Sequence, residues 1–326
     1  MTDFQPIGGY FELAKLNPVQ NSCRHEGSLA LSTGRGCISL ILKVTEVKRC
    51  HVPAYCCQAF FEPFKDAGVE LIYYNINSDF APMNLPDRLA DDELIFYVDY
   101  FGINRKIAGD LVARFGQQLA LDNSHAFFEP HNVDCWTFTS ARKQFGIADG
   151  AYLTGPVPKY LEPTETFDTD YTAQLLRSAG EIKTGFEAFR AYEAKLDSEI
   201  YWMSQTSRLL MQHVDTSTCG EQRQQNFDFL HQHLPATNQL KLPDRAGEIP
   251  FCYPYIPENP TTHTQLHERG IFVPVLWQDA LVEPDKLNVF ETSLCKSMLP
   301  LPIDQRYGEK EMVRILEVLN EISSLN

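Results

Sequence analysis

The apolar positions of this chain change period several times, and those changes lay out its elements. Residues 36–43 carry apolar side chains at helical spacing, and a short stretch around 49–52 then reads as a strand. A helix over 58–67, strands over 70–74 and 93–98, a helix near 107–115, and strands over 118–121 and 133–139 follow in turn. Strands alternating with helices predict βαβ units and hence an α/β fold, a mostly parallel sheet with helices on both faces. Residues 157–168, rich in Pro, Glu and Thr, read as a loop. Two long helices are expected next, over 170–194 and 197–214, with Leu175, Ile182, Phe186, Phe189 and Tyr192 at helical spacing in the first. From about residue 221 the pattern becomes a helix over 222–233, short strands near 251–255 and 270–274, and a helix over 309–322, with a loop-rich part over 243–260. We therefore expect a large α/β domain over residues 1–200 and a smaller α+β domain over 201–326.

Composition bounds what such a chain can do. At 326 residues it can bury a large core, and its hydrophobic and charged fractions, 44% and 22%, are those of a globular protein. The net charge of −15, without a Lys/Arg run longer than two, argues against nucleic acid or an anionic membrane surface as partner. The nine cysteines include adjacent Cys56 and Cys57 but no matched C-x-x-C pairs, so no metal site is expected. The N-terminus lacks a basic region followed by an apolar core, and no apolar run reaches membrane-spanning length. A cytoplasmic protein with reduced, mostly buried thiols is the expectation.

The candidate chemistry lies between residues 119 and 153. The apolar run Leu119-Ala120-Leu121 ends in Asp122, with His125 three residues on, and Ser140-Ala-Arg142-Lys143 and Asp149-Gly150 follow. A carboxylate at the carboxyl end of a buried parallel strand sits where open α/β sheets bind ligands. A lysine beyond the next strand supplies an amine. Taken singly, each residue has a plainer role: Asp122 as a turn or helix-cap residue, His125 as a hydrogen-bonded loop histidine, Lys143 as a solvated lysine. Together they are the pair that pyridoxal phosphate (PLP) chemistry needs, an amine for the cofactor aldehyde and a carboxylate for the pyridinium nitrogen.

In this order and spacing, Asp122-Asn-Ser-His125, Ser140-Ala-Arg-Lys143 and Asp149-Gly150 resemble the DegT/DnrJ/EryC1/StrS family of PLP-dependent aminotransferases. Upstream, Ser32-Thr-Gly-Arg-Gly36 is similar to the family's phosphate-binding turn, and Pro53 and Tyr97-Val-Asp-Tyr-Phe-Gly102 are similar to its later strand ends. Leu299-Pro-Leu-Pro resembles its C-terminal ending. The likeness runs over residues 28–322 and thins between 155 and 265. It implies a fold-type-I PLP transferase. Lys143 would form the Schiff base and act as acid and base, and Asp122 would hold the pyridinium proton. His125 would stand near the phenolic oxygen. Backbone amides of Thr33, Gly34 and Arg35, with the Ser140 hydroxyl, would hold the phosphate.

The resemblance further implies an amino acid donor, glutamate, a keto-sugar nucleotide as acceptor, and a homodimer with shared sites. Three departures accompany it. The family's serine five residues before the lysine is Phe138 here. Its ring-stacking aromatic falls at Cys57, so that Tyr55 either covers the ring or belongs to the core. Its cross-subunit asparagine segment has no counterpart in 201–215. Arg35 and Arg306 are candidates for a phosphate or substrate anion, with a salt-bridged structural role for Arg306 as the alternative. Other readings are a non-catalytic relative with a regulatory or structural role, and a PLP enzyme acting on a different carbonyl. Dehydration, which relatives achieve with histidine in place of the lysine, is opposed by Lys143.

Overall fold

The computed structural model describes residues 6–14 and 25–325. In chain order its elements are β1 (Ile7–Gly8), β2 (Leu29–Leu31), α1 (Gly34–Thr45), β3 (Arg49–Pro53), α2 (Gln58–Asp66), β4 (Glu70–Tyr74) and β5 (Glu93–Val98). There follow α3 (Arg105–Phe115), β6 (Leu119–Asp122), β7 (Trp136–Ser140), β8 (Ala151–Thr154), α4 (Thr172–Ser178), α5 (Ile182–Glu193), α6 (Gln205–Gln212) and α7 (Thr216–His233). The last are β9 (Tyr253–Tyr255), α8 (His263–Glu268), β10 (Ile271–Phe272), α9 (Val289–Ser297), β11 (Leu299–Leu301) and α10 (Glu309–Leu325).

Seven strands form one sheet in the order β2-β8-β7-β6-β5-β3-β4, parallel from β7 through β4, with β8 antiparallel to both its neighbours. The parallel centre follows from composition. In β5, every residue from Leu94 to Val98 is buried, so side chains pointing to either face meet cover, as parallel strands require. Fully burying each such Leu, Ile or Phe contributes about 1.5–3 kcal/mol. The parallel strands deliver Pro53, Val98, Asp122 and Ser140 to one edge of the sheet. Because β2 also runs parallel to β7, the turn from β2 into α1 opens at that same edge.

The expected α/β architecture is the observed one, with local corrections. The helix expected over 170–194 is two, α4 and α5, because Gly180 takes a left-handed φ of 86° between them. Only Gln205–Gln212 is helical in the stretch 197–214. Before it the chain is extended: Trp202 bridges both Leu31 and Thr166, and the Met203 amide donates to the Ala30 carbonyl at 2.9 Å. The residues around the expected boundary at 200–201 thus lie along the sheet edge.

The C-terminal elements include the antiparallel pair β9–β11, the parallel pair β1–β10, and α7 packed with α10. Their core is continuous with that of the sheet, Tyr253, Leu299 and Ile315 joining Leu94 and Phe96 in one apolar cluster. Glu291 of α9 ties the two together. Fully buried, it accepts from the Ile76 amide at 2.8 Å and Asn75 Nδ2 at 2.6 Å. The eight described cysteines are free thiols, six of them buried, and Cys23 lies outside the described residues. Among the described residues no helix is long and apolar enough to cross a membrane.

Candidate active site

Thr33 caps α1: its Oγ1 accepts the Gly36 amide at 3.0 Å, which leaves the amides of the first two helical residues, Gly34 and Arg35, without a partner in the helix. Those amides and the positive end of the twelve-residue helix make a seat for an anion. A side chain at Gly36 would put its Cβ 2.9 Å from the Glu199 carbonyl oxygen, so the turn closes only with glycine there. The neighbouring Ser32 hydroxyl is buried without a partner. The Arg35 side chain turns away to pair with Glu62 at 2.5 Å, so only its backbone faces the turn.

Asp122 ends β6 and is buried. Its carboxylate accepts the Ser124 amide at 2.8 Å. Burial raises its pKa; the positive charge of Lys143 and the Ser124 bonds offset this in part. The phosphate-type turn lies beside it, since a Cβ at Gly34 would stand 3.9 Å from Ser124 Oγ and 3.7 Å from the Phe138 ring. Phe138, opposite Asp122 in the sheet register, therefore packs under the turn.

Lys143 closes a single 3₁₀ turn, Ala141–Lys143, directly after β7. Ser140 precedes it, buried, at the strand end, with no side-chain cap bond to that turn. The charge of Lys143 is felt at Asp122, His125, Cys56 and Cys57, so these groups gather around one point. Several contacts hold the loop that carries it. The Ala141 amide donates to the Gly150 carbonyl at 3.0 Å. The Asp149 carboxylate accepts from the Ser204 amide and hydroxyl, both at 2.7 Å, and from the Ser207 hydroxyl. Arg142 points away, to Glu193 and the Ala148 carbonyl, and is no neighbouring cation for Lys143. At Gly146 a Cβ would fall 1.7 Å from the Glu12 carbonyl oxygen, so the backbone of 12–14 packs directly on the loop.

His125 is buried, and its environment could not be read locally. Its ring is parallel within 2° to Phe251 at 4.3 Å and within 1° to Trp277 at 5.5 Å. Its Nδ1 faces the Phe101 amide at 3.4 Å. Burial, and then the charge of Lys143, hold its pKa well below the ordinary imidazole value.

Of the two places open to Tyr55, over a ring or in the core, its neighbours in the structure are those of the core. It is fully buried, stacked on Tyr100 at 5.7 Å and edge-on to Trp277 at 4.7 Å, and its carbonyl accepts the Tyr100 hydroxyl at 2.9 Å. The aromatic neighbours contributed by residues 100 and 277 draw it into the core. Cys57, half-buried at the start of α2, feels Lys143, as does its neighbour Cys56. The hydrogen bond from Cys56 lowers its thiol pKa, and the Lys143 charge adds to this against the effect of burial. Arg306 is structural, held by Asp304 at 2.7 Å and Glu12 at 3.2 Å.

Arg223 escaped the sequence reading. Buried on α7, it donates to the Gln144 carbonyl at 3.4 Å, the Phe251 carbonyl at 3.1 Å and Gln305 Oε1 at 2.9 Å, and so fixes the residue after Lys143 from a helix eighty positions away. Burial pushes its pKa down to about 10. An arginine in a mostly polar helix gives no local signal of that task.

No family model matches the chain, and no curated protein matches it in sequence. Its fold is that of solved aminotransferases. The chain is similar to a DegT DnrJ EryC1 StrS aminotransferase from Brucella abortus, with a TM-score of 0.65 and 16% identity over 92% of this chain and 87% of that one. It is similar to the sugar aminotransferase CalS13 from Micromonospora echinospora, with a TM-score of 0.62 and 13% identity over 90% and 87%. It is also similar to a Streptococcus pneumoniae chain solved in its PLP form, with a TM-score of 0.63 and 12% identity over 93% and 88%. At these identities the likeness is one of fold.

Proposed function

We propose that the chain is a PLP-dependent aminotransferase that moves an amino group from an amino acid, glutamate, to a keto-sugar nucleotide. The observation that carries the reading is the convergence, at the carboxyl edge of the sheet, of a buried carboxylate, an amine and an anion seat: Asp122, Lys143 and the turn Thr33–Arg35. The fold shared with sugar aminotransferases supports it. So does the state of the residues. Asp122 has no ion-pair partner within 4 Å among the described residues, and the Ser32 hydroxyl has no hydrogen-bond partner. A buried carboxylate in that condition fits a cationic N–H donor, and an open helix N-terminus beside a hydroxyl fits a phosphate.

When bound, PLP supplies an aldehyde that captures amines and a protonated ring that withdraws electrons from the carbon being deprotonated. The chain's own residues do the rest. The amides of Thr33, Gly34 and Arg35, with the hydroxyl of Ser140, would hold the phosphate. Asp122, buried, would keep the ring nitrogen protonated by opposing its charge. Lys143 Nζ would hold the cofactor aldehyde. The same nitrogen, once free, would be the base that takes the proton at the donor's α-carbon and the acid that returns it. Asp149 and Arg223 hold the lysine loop at the geometry this shuttle needs.

The cycle has a direct test. Glutamate should bleach the visible band of the purified, PLP-loaded protein, and a keto-sugar nucleotide should restore it. Restoration by simple keto acids alone would remove the sugar assignment.

We place this chemistry in a cytoplasmic homodimer. A cofactor seated on the turn Thr33–Gly36 needs cover on its solvent side, and an isologous pair supplies that cover twice from one patch. The covering surface we assign is the stretch 201–215, where Leu209 of α6 is 56% exposed. Light scattering at micromolar concentration should give twice the chain mass; a fully active monomer would overturn the shared site.

A further inference from the structure

We propose that Trp277 is a positioning residue which, with Phe251 and the Phe101 amide, holds His125 as a neutral imidazole carrying its proton on Nε2, so that the site offers a hydrogen-bond donor rather than a second cation beside Lys143. The inference rests on the reading above only for the identity of the acceptor that this donor meets.

The tautomer follows from one bond. A backbone amide can only donate, so Nδ1, facing the Phe101 N–H at 3.4 Å, must be the bare nitrogen, and the proton of a neutral ring then sits on Nε2. Phe101 is itself fixed. It holds a left-handed φ of 61°, unusual for a bulky residue, and its carbonyl accepts the Phe251 amide at 2.8 Å. The amide that sets the tautomer and the ring that packs on His125 are thus tied together.

The second half concerns Trp277. It too sits at positive φ, 57°, the kind of backbone strain that persists only where surrounding contacts over-determine it. Its ring contacts run from His125 into the core. The indole lies parallel to His125 at 5.5 Å, edge-on to Tyr55 at 4.7 Å and edge-on to Tyr100 at 5.5 Å. Two residues on, Asp279 accepts the Gln58 amide at 2.6 Å, next to Cys57. One C-terminal segment therefore seats both an aromatic wall against His125 and a carboxylate at the head of α2.

Lys143 is the charged group whose field acts on the imidazole. The other groups packed on it here are the Phe101 amide and the rings of Phe101, Phe251 and Trp277. Rings of this kind exclude water without offering the imidazolium a counter-ion, so burial and the Lys143 charge together oppose protonation of the ring. A donor of this kind suits an acceptor oxygen that carries negative charge.

The test is ¹⁵N NMR of the full chain labelled at histidine, as purified and without added PLP, with the His125 signals assigned through His125→Gln. The expected spectrum shows the proton on Nε2, unchanged as the pH falls through about 6.5, where an ordinary imidazole titrates. Trp277→Leu should mix the tautomers or bring the His125 titration into that range, and Trp277→Phe, which keeps a flat ring, should restore the wild-type pattern. A proton on Nδ1, a charged ring near neutral pH, or a Trp277→Leu spectrum identical to wild type would overturn the proposal. If Trp277→Leu does not fold, the wild-type tautomer and Phe251→Leu carry the decision. A missing PLP band would sink the cofactor reading and leave the tautomer result standing, so the two failures are separable.

Discussion

Lys143→Ala is expected to fold normally, bind PLP only reversibly and lose amino transfer almost completely. The side chain makes no ion pair among the described residues and stands on a one-turn 3₁₀ segment at the end of β7, outside the apolar clusters. The loop around it is held by Asp149, Arg142 and Arg223 and keeps those bonds without the amine. Stability should therefore change little, as circular dichroism melting would show. Activity should not survive. Removing a positioned general base alone costs about 10²–10⁴-fold, and here the anchor for the aldehyde goes with it. A variant that retained a tenth of wild-type turnover would mean another amine does the work.

Asp122→Asn is the second large effect, and its sign differs between stability and catalysis. In the unliganded chain, burial raises the Asp122 pKa, so the ionised form is disfavoured by folding. Its folded pKa lies above the unfolded value, so any gain from the protonated acid is present at low pH and lost as the pH rises through the folded pKa. Asparagine removes that cost and can still accept the Ser124 amide, so the variant should be as stable as wild type or more so at neutral pH. Catalysis moves the other way. Losing one partner of a buried charge pair costs about 3–5 kcal/mol, or roughly two to four orders of magnitude in rate. The loss should fall on kcat rather than on donor KM. Unchanged turnover would show that the ring nitrogen has no use for this carboxylate.

Legibility in the sequence tracked the range of the interactions involved. The strands β4, β5 and β6 were readable because each carries a run of apolar, β-prone residues, β7 because it alternates aromatic and Thr residues, and Asp122 because it ends such a run. Leu29–Leu31 and Ala151–Thr154 were not, since three or four residues give too few periods to distinguish a strand from a loop. The stretch 199–203 reads as helix by its spacing, yet edge pairing of Trp202 with Leu31 and Thr166 keeps it extended. Tyr55 and His125 mark the same boundary within the site. Their neighbours Tyr100, Phe251 and Trp277 lie 45 to 222 positions away along the chain, and nothing near residue 55 or 125 specifies them. The chemistry-bearing residues were legible as types in order; which of them face an open site, and which close into core, was decided by the C-terminal elements.

The most direct test of the central claim is borohydride reduction of the PLP-loaded wild-type protein, followed by digestion and mass mapping of the fixed cofactor. The prediction is a single pyridoxyl group on the peptide that contains Lys143, absent in Lys143→Ala. A label on any other lysine, or no label on a protein that turns over normally, would contradict it.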